Sequence, residues 1–228
     1  MLQLNQVSYR YSGSAWALRD ISLHLSAGES KALLGPNGSG KSTLLKLVGQ
    51  LIEPTSGSVK WSSKRPALGW LPASVVPTAF LKVKEVVRQL AELRGNYSPA
   101  YAQRFVSSLA LEPLLDKPVT DLSFGQVQRV RLAQLLIAKP RLLLLDEPST
   151  GIDLEGALCL EQLIVDAQSE GVSCIYATHQ VDEAVRICQG AWVLKGGEMA
   201  TSLDESDWQP GPNLTERLRR IALNERAA

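Results

Sequence analysis

Apolar and polar residues alternate at the start of the chain. Leu2, Leu4 and Val7 form one such run and Ile21, Leu23 and Leu25 another, with Ser12-Gly13-Ser14 as a turn between them. A period of two marks strands with one buried face. Glu29 to Leu34 then runs straight into a glycine-rich segment, and Thr43 to Val48 reads as a helix ended by Gly49 and the Pro54/Gly57 turn. Downstream the period changes. Val83, Val86, Val87 and Leu90 fall at i, i+3, i+4 and i+7, one apolar face of a helix. Ser98-Pro99 offers a cap with proline in the first turn, predicting a second helix through Leu109. A third is predicted from near Gln126 to Ala138, so residues 73–138 read as a helical insert. Strand and helix then alternate again. Arg141–Asp146 is a dense apolar strand, Leu154–Gln168 a helix, Val172–Thr178 a strand and Val181–Cys188 a short helix. Ala191–Lys195 and Glu198–Ser202 flank Gly196-Gly197 as a hairpin. Pro210 and Pro212 break the chain before a charged helix, Leu214–Arg226, expected to be solvated. The pattern predicts an α/β fold interrupted by a helical insert.

Composition narrows the classes. The 228 residues are 45% hydrophobic and 21% charged, ordinary for one large globular domain. Lys+Arg number 24 against Asp+Glu 23, a net charge of +1, so no global charge favours nucleic acid and no nucleic-acid partner is expected. Cys159, Cys174 and Cys188 are odd in number and form no CxxC pair, which argues against a disulfide framework or zinc site and for a reducing compartment. They read as small buried hydrophobes. No apolar run approaches the roughly 20 residues of a membrane-crossing helix. The segment MLQLNQVSYRY lacks a basic stretch followed by an apolar core, so neither a span nor a signal peptide is expected.

The candidate chemistry begins in the glycine-rich segment. Gly35-Pro36-Asn37-Gly38-Ser39-Gly40-Lys41-Ser42-Thr43 satisfies G-x-x-x-x-G-K-[ST] between an apolar strand and a helix. Glycines let successive N–H groups curl inward toward an anion, and the helix start adds its positive dipole end. Lys41 then reaches β and γ phosphates, and the Ser42 hydroxyl is a ligand for Mg²⁺. A second part is Leu142-Leu143-Leu144-Leu145-Asp146-Glu147, an apolar strand delivering two carboxylates to the edge where α/β folds bind ligands. There Asp146 holds Mg²⁺ through a water and Glu147 polarises a water for in-line attack. A strand ending in Asp-Glu is a common pattern by itself; behind a phosphate loop it is specific.

With Leu122-Ser123-Phe124-Gly125-Gln126 upstream of Asp146, the chain resembles the nucleotide-binding subunit of ABC transporters, whose signature is LSGGQ. The resemblance runs from Leu2 to about Leu203. It implies a single ABC nucleotide-binding domain over residues 1–228. Its P-loop NTPase (RecA-like) core carries an N-terminal antiparallel β subdomain (1–72 and 139–202), a helical subdomain (73–138) and a tail helix (203–228). It further implies adenine stacking on Tyr11, a D-loop at Ser149-Thr150-Gly151-Ile152-Asp153 and a switch histidine at His179. By composition alone Tyr11 reads equally as a packing aromatic. Ser123, Gly125 and Gln126, at a helix start, would bind the ATP held by the phosphate loop of a second subunit. The implied assembly is a homodimer, or a pair of ABC subunits, clamping two ATP with Mg²⁺. In it His179 reports the γ phosphate, and the dimer drives a separate integral-membrane permease from the cytoplasmic face.

Two positions depart from the family pattern. In Leu68-Gly69-Trp70-Leu71-Pro72-Ala73, Ala73 stands where the Q-loop glutamine is usual, with Ser74 adjacent; Phe124 stands at the signature's first glycine. The expectation is an active but modest ATPase. One phosphate loop and one signature make it a half-unit. The permease contact is expected in the loop after Ala73, near Pro77-Thr78-Ala79-Phe80-Leu81. Leu81-Lys82-Val83-Lys84-Glu85-Val86-Val87 and Leu93-Arg94-Gly95 resemble ABC-2-type exporter ATPases, which favours export. Tyr9-Arg10-Tyr11 is shared with metal and vitamin importers, the alternative, and a soluble ABC-type switch without a permease is a third reading.

Overall fold

The computed structural model describes residues 1–13, 15–74, 80–208 and 210–223. In chain order the elements are β1 (Leu2–Arg10), β2 (Trp16–Leu25), β3 (Ser30–Leu34), α1 (Lys41–Val48), β4 (Ser56–Trp61) and β5 (Leu68–Leu71). The insert follows with α2 (Val83–Leu93), α3 (Pro99–Ser108) and α4 (Phe124–Ile137). The chain ends with β6 (Leu142–Asp146), α5 (Leu154–Ser169), β7 (Ser173–Thr178), α6 (Val181–Ile187), β8 (Ala191–Lys195), β9 (Glu198–Leu203) and α7 (Pro212–Leu223).

These strands form two sheets. β2-β1-β4 is antiparallel; β5-β6-β7-β3-β8-β9 is parallel except for its last strand. The strand sequences carry the distinction. β3, β6 and β7 are buried along their whole length, as a parallel sheet covered on both faces requires. Their residues divide by parity between two cores. Leu143, Leu145, Cys174 and Tyr176 face the insert, α5 and α6. Leu142, Leu144, Ile175 and Ala177 face α1 and the antiparallel sheet. The register pairs Leu34 with Thr178 and Asp146 with Ala177, so the carboxyl ends of β3, β6 and β7 meet at one edge. The residues that follow these ends are the phosphate loop, Glu147 and His179.

Arg94 seats the insert on the core. Its Nη1 donates to the Ala138 carbonyl at 3.0 Å and its Nη2 to that of Leu68 at 2.7 Å; Asn96 Nδ2 also donates to Ala138 at 3.1 Å. Three readings change. α4 begins at Phe124 rather than near Gln126, because Ser123 caps it: Ser123 Oγ accepts from Gln126 N and Gln126 Oε1 accepts from Ser123 N. The tail helix is docked rather than solvated. Pro212 sits in its first turn, which tolerates a missing N–H, and Leu214 and Leu218 are buried. Residues 224–226 of the expected helix lie outside the described residues. Cys174 and Cys188 are buried, and burial pushes the Cys174 thiol up to about 12. Cys159 is only half-buried and donates to the Ser108 carbonyl. Among the described residues no helix is long and apolar enough to cross a membrane.

Candidate active site

The loop between β3 and α1 is built on left-handed glycines: φ is +152° at Gly35, +79° at Gly38 and +103° at Gly40. Two of them are also walled in. A Cβ on Gly35 would lie 2.3 Å from the Leu194 carbonyl and 2.6 Å from Ser39 Oγ. One on Gly40 would lie 2.6 Å from Leu18 Cδ2 and 2.7 Å from the Ala17 carbonyl. Lys41 opens α1 and is buried. Its Nζ donates to the Gly35 carbonyl at 2.8 Å and the Pro36 carbonyl at 3.4 Å, and stands 3.5 Å from Glu147 Oε1. The loop borders a cleft of about 390 Å³, lined by Asn37 to Thr43 together with Tyr11, Ala17, Ala73, Asp146 and Glu147. Tyr11 is bonded through its hydroxyl to Thr43 Oγ1 at 3.3 Å and meets Tyr9 edge-on, leaving its ring part-exposed.

The carboxylates sit at the end of β6. Burial holds the Asp146 carboxyl above the usual carboxylate range; a Ser42 hydrogen bond opposes this, Glu147 adds to it, and Lys41 opposes it. Glu147 takes φ +50°, an uncommon conformation for a residue with a Cβ, and its N–H donates to the Ala177 carbonyl at 2.8 Å. Its Oε2 lies 2.9 Å from His179 Nδ1. Asp146 Oδ1, Glu147 Oε1 and Ser39 Oγ are buried without a hydrogen-bond partner. Such atoms in one cleft call for a ligand. A loop of left-handed glycines beside a lysine suits an anion; a buried carboxylate beside a hydroxyl suits a hard cation.

The signature and D-loop residues stand apart from this cleft: Ser123, Gly125, Gln126 and Asp153 do not line it. Ser123 and Gln126 are engaged in the α4 cap, and Asp153 caps α5, accepting from Gly156 N at 2.8 Å. The Phe124 ring lies over Gly151, where a Cβ would come within 2.7 Å of it, so the bulky substitution leans on the D-loop of its own chain. Two residues at the site escaped the sequence reading. Ala17 lines the cleft with no chemistry in its side chain to signal it. Glu183, behind the cleft, reads in sequence as an ordinary acid in the first turn of a helix.

Residues 18–150 match the family described as ABC transporter. The chain belongs to the ABC transporter family, as an ATP-binding subunit. As a member of that family it is an ATPase. Among curated relatives it is 31% identical over 221 residues to the energy-coupling factor transporter ATP-binding protein EcfA3 of Clostridium perfringens, covering 87% of this chain and 76% of that one. It is 36% identical over 210 residues to the zinc import ATP-binding protein ZnuC of Psychrobacter cryohalolentis, covering 90% and 80%. Among solved structures, the dimeric ABC transporter cassette MJ0796 superposes with a TM-score of 0.80 at 26% identity, covering 90% of this chain and 99% of that one. A dimeric post-hydrolysis state of the same cassette, bound to ADP and Pi, gives 0.79.

Proposed function

We propose that the chain hydrolyses ATP in a composite site, clamped between its own phosphate loop and the signature helix of a second copy, and thereby drives a separate membrane permease. The observation that carries this reading is the run of contacts from Lys41 through Glu147 to His179, beside the unpartnered Asp146 Oδ1. In this reading Lys41 leaves the Gly35 and Pro36 carbonyls for the phosphates, while Ser42 and Asp146 hold Mg²⁺. ATP–Mg²⁺ supplies a γ-phosphoryl group open to in-line attack by water. Glu147 takes the proton of that water, and His179 hydrogen-bonds the γ phosphate, so loss of the phosphate frees it to signal. Tyr11 stacks on adenine. Ser123, Gly125 and Gln126 complete the site from the partner copy. Their position outside the cleft of their own chain supports the two-copy reading.

On direction, Leu81–Val87 and Leu93-Arg94-Gly95 favour an exporter, whereas a relative named for zinc import favours uptake. Export and uptake of a metal ion therefore stand on equal support, and transport assays in both directions with the partner permease decide between them. The expected permease contact falls partly on Pro77, Thr78 and Ala79, outside the described residues; Phe80 beside them is 91% exposed. The test of the composite site is the ATPase rate of the purified chain against its concentration. A rate rising with the square of concentration, lost in Ser123→Arg and in Glu147→Gln, supports it. A linear rate indifferent to Ser123→Arg contradicts it.

A further inference from the structure

Behind the cleft lies a buried carboxylate that the reaction as described does not use. Glu183, in the first turn of α6, is 5% exposed. Its Oε1 accepts from Ser149 Oγ at 2.6 Å, and its Oε2 accepts from the Tyr176 hydroxyl at 3.3 Å and from Thr178 Oγ1 at 3.1 Å. Burying a carboxylate is unfavourable unless donors replace its water, and here three hydroxyls do. Burial and the Glu183 charge push the Tyr176 hydroxyl well above its usual value, so it remains a donor. The helix dipole accounts for an acid in this turn but not for its inward aim. Asp182, its neighbour, points outward to Arg219.

Two of the three hydroxyls that Glu183 holds, those of Ser149 and Thr178, lie on the segments that carry Glu147 and His179. Thr178 has a single hydroxyl proton, given to Glu183, and its oxygen accepts from Gln180 N at 3.0 Å. His179 therefore sits between two fixed residues. Ser149 is the third residue of a turn that begins at Glu147, closed by Thr150 N donating to the Glu147 carbonyl at 3.2 Å. Glu147 is the residue at φ +50°, a conformation that persists only where its surroundings over-determine it. Glu147 and His179 thus stand on separate segments, and Glu183 is bonded to both.

We propose that Glu183 is a positioning residue for hydrolysis, its carboxylate clamping the turn that carries Glu147 to the strand end that carries His179. The proposal rests on reading those two as the working pair. A displacement of about 1 Å in a working group can cost up to about 100-fold in rate. The experiment is steady-state ATPase kinetics on the full chain, with melting curves and ATP affinity, for Glu183→Ala, Glu183→Gln and Ser149→Ala. Glu183→Ala is repeated in a His179→Ala background. The expected result is a folded Glu183→Ala protein whose kcat falls about 10–100-fold while KM for ATP stays within about twofold. Glu183→Gln recovers most of the loss, because its amide oxygen still accepts and the hydroxyls can turn. In the His179→Ala background the same substitution costs no more than about twofold, as expected of groups acting as one unit. A folded Glu183→Ala protein with wild-type kcat overturns the proposal. So does an undiminished loss in the His179→Ala background. Should Glu183→Ala not fold, Ser149→Ala decides: a lower kcat at unchanged KM supports the clamp, and an unchanged kcat overturns it. Wild-type turnover in Glu147→Gln or His179→Ala instead removes the pair itself, and the clamp with it.

Discussion

Gly38 and Gly40 lie two residues apart in the phosphate loop, both with positive φ, yet alanine should be felt very differently at each. At Gly38, φ is +79° and an added Cβ meets nothing within 4 Å. Gly38→Ala therefore carries only the left-handed backbone cost of an L-residue, roughly 1–2 kcal/mol. At Gly40, φ is +103° and the Cβ would lie 2.6 Å from Leu18 Cδ2 and 2.7 Å from the Ala17 carbonyl. The leucine terminus can yield; the carbonyl belongs to β2 and cannot move alone. Gly40→Ala adds an overpacking cost of roughly 1–3 kcal/mol to a backbone cost of roughly 1–3 kcal/mol. For a chain of this size about 1 kcal/mol moves Tm by about 2–4 °C. The overpacking cost alone should thus make Gly40→Ala melt about 2–12 °C below Gly38→Ala, and Gly40→Ala should lose ATP affinity, since the helix start that carries Lys41 must shift. Thermal melting and titration with a fluorescent ATP analogue read both. Equal melting temperatures for the two variants would refute the steric argument.

Further outcomes follow from the same contacts. Glu147→Gln should bind ATP but lose turnover by roughly 10²–10⁴-fold, the range for a lost general base; single-turnover and binding assays separate the two. Ala73→Gln places a hydrogen-bonding amide on the cleft wall and should raise kcat by up to about tenfold, the equivalent of about 1.4 kcal/mol. Its kcat against wild type is the check. Leu218→Ala in α7 should destabilise by about 2–5 kcal/mol because the side chain is fully buried. Arg219→Ala, which breaks an exposed ion pair to Asp182, should cost under about 1 kcal/mol; denaturant melts compare them. Asp146→Asn should stabilise the nucleotide-free protein at neutral pH while abolishing Mg²⁺-dependent turnover. The folded Asp146 carboxyl titrates above its unfolded value, so the wild type gains from that proton at low pH and loses the gain as pH rises through the folded value. The difference in Tm between the two proteins should therefore shrink as pH falls below the carboxylate range.

Much of this site could be read from the chain because its chemistry is local. Gly35 to Thr43 is contiguous, and the apolar run before Asp146-Glu147 announces a parallel strand delivering them to the same edge. The structure adds the long-range placements. Glu147 and His179 come together only through the β6–β7 register, and no spacing along the chain encodes their 2.9 Å contact. Glu183 was invisible for the same reason: its three hydroxyl partners come from the turn after β6 and from β7. The α4 start and the docked tail differ from the local pattern for physical reasons. A capping box gave α4 two more residues, and Pro212 begins a helix rather than preventing one. Leu214 and Leu218, spaced four apart, were the apolar stripe that marks a docked face.

The central claim is that two copies of this chain close on ATP. Sedimentation of the Glu147→Gln protein with ATP and Mg²⁺ tests it most directly. The expected result is a dimer that reverts to monomer when nucleotide is withdrawn or when Ser123→Arg is added. A protein that binds ATP with full occupancy and sediments as a monomer across the concentration range would contradict it.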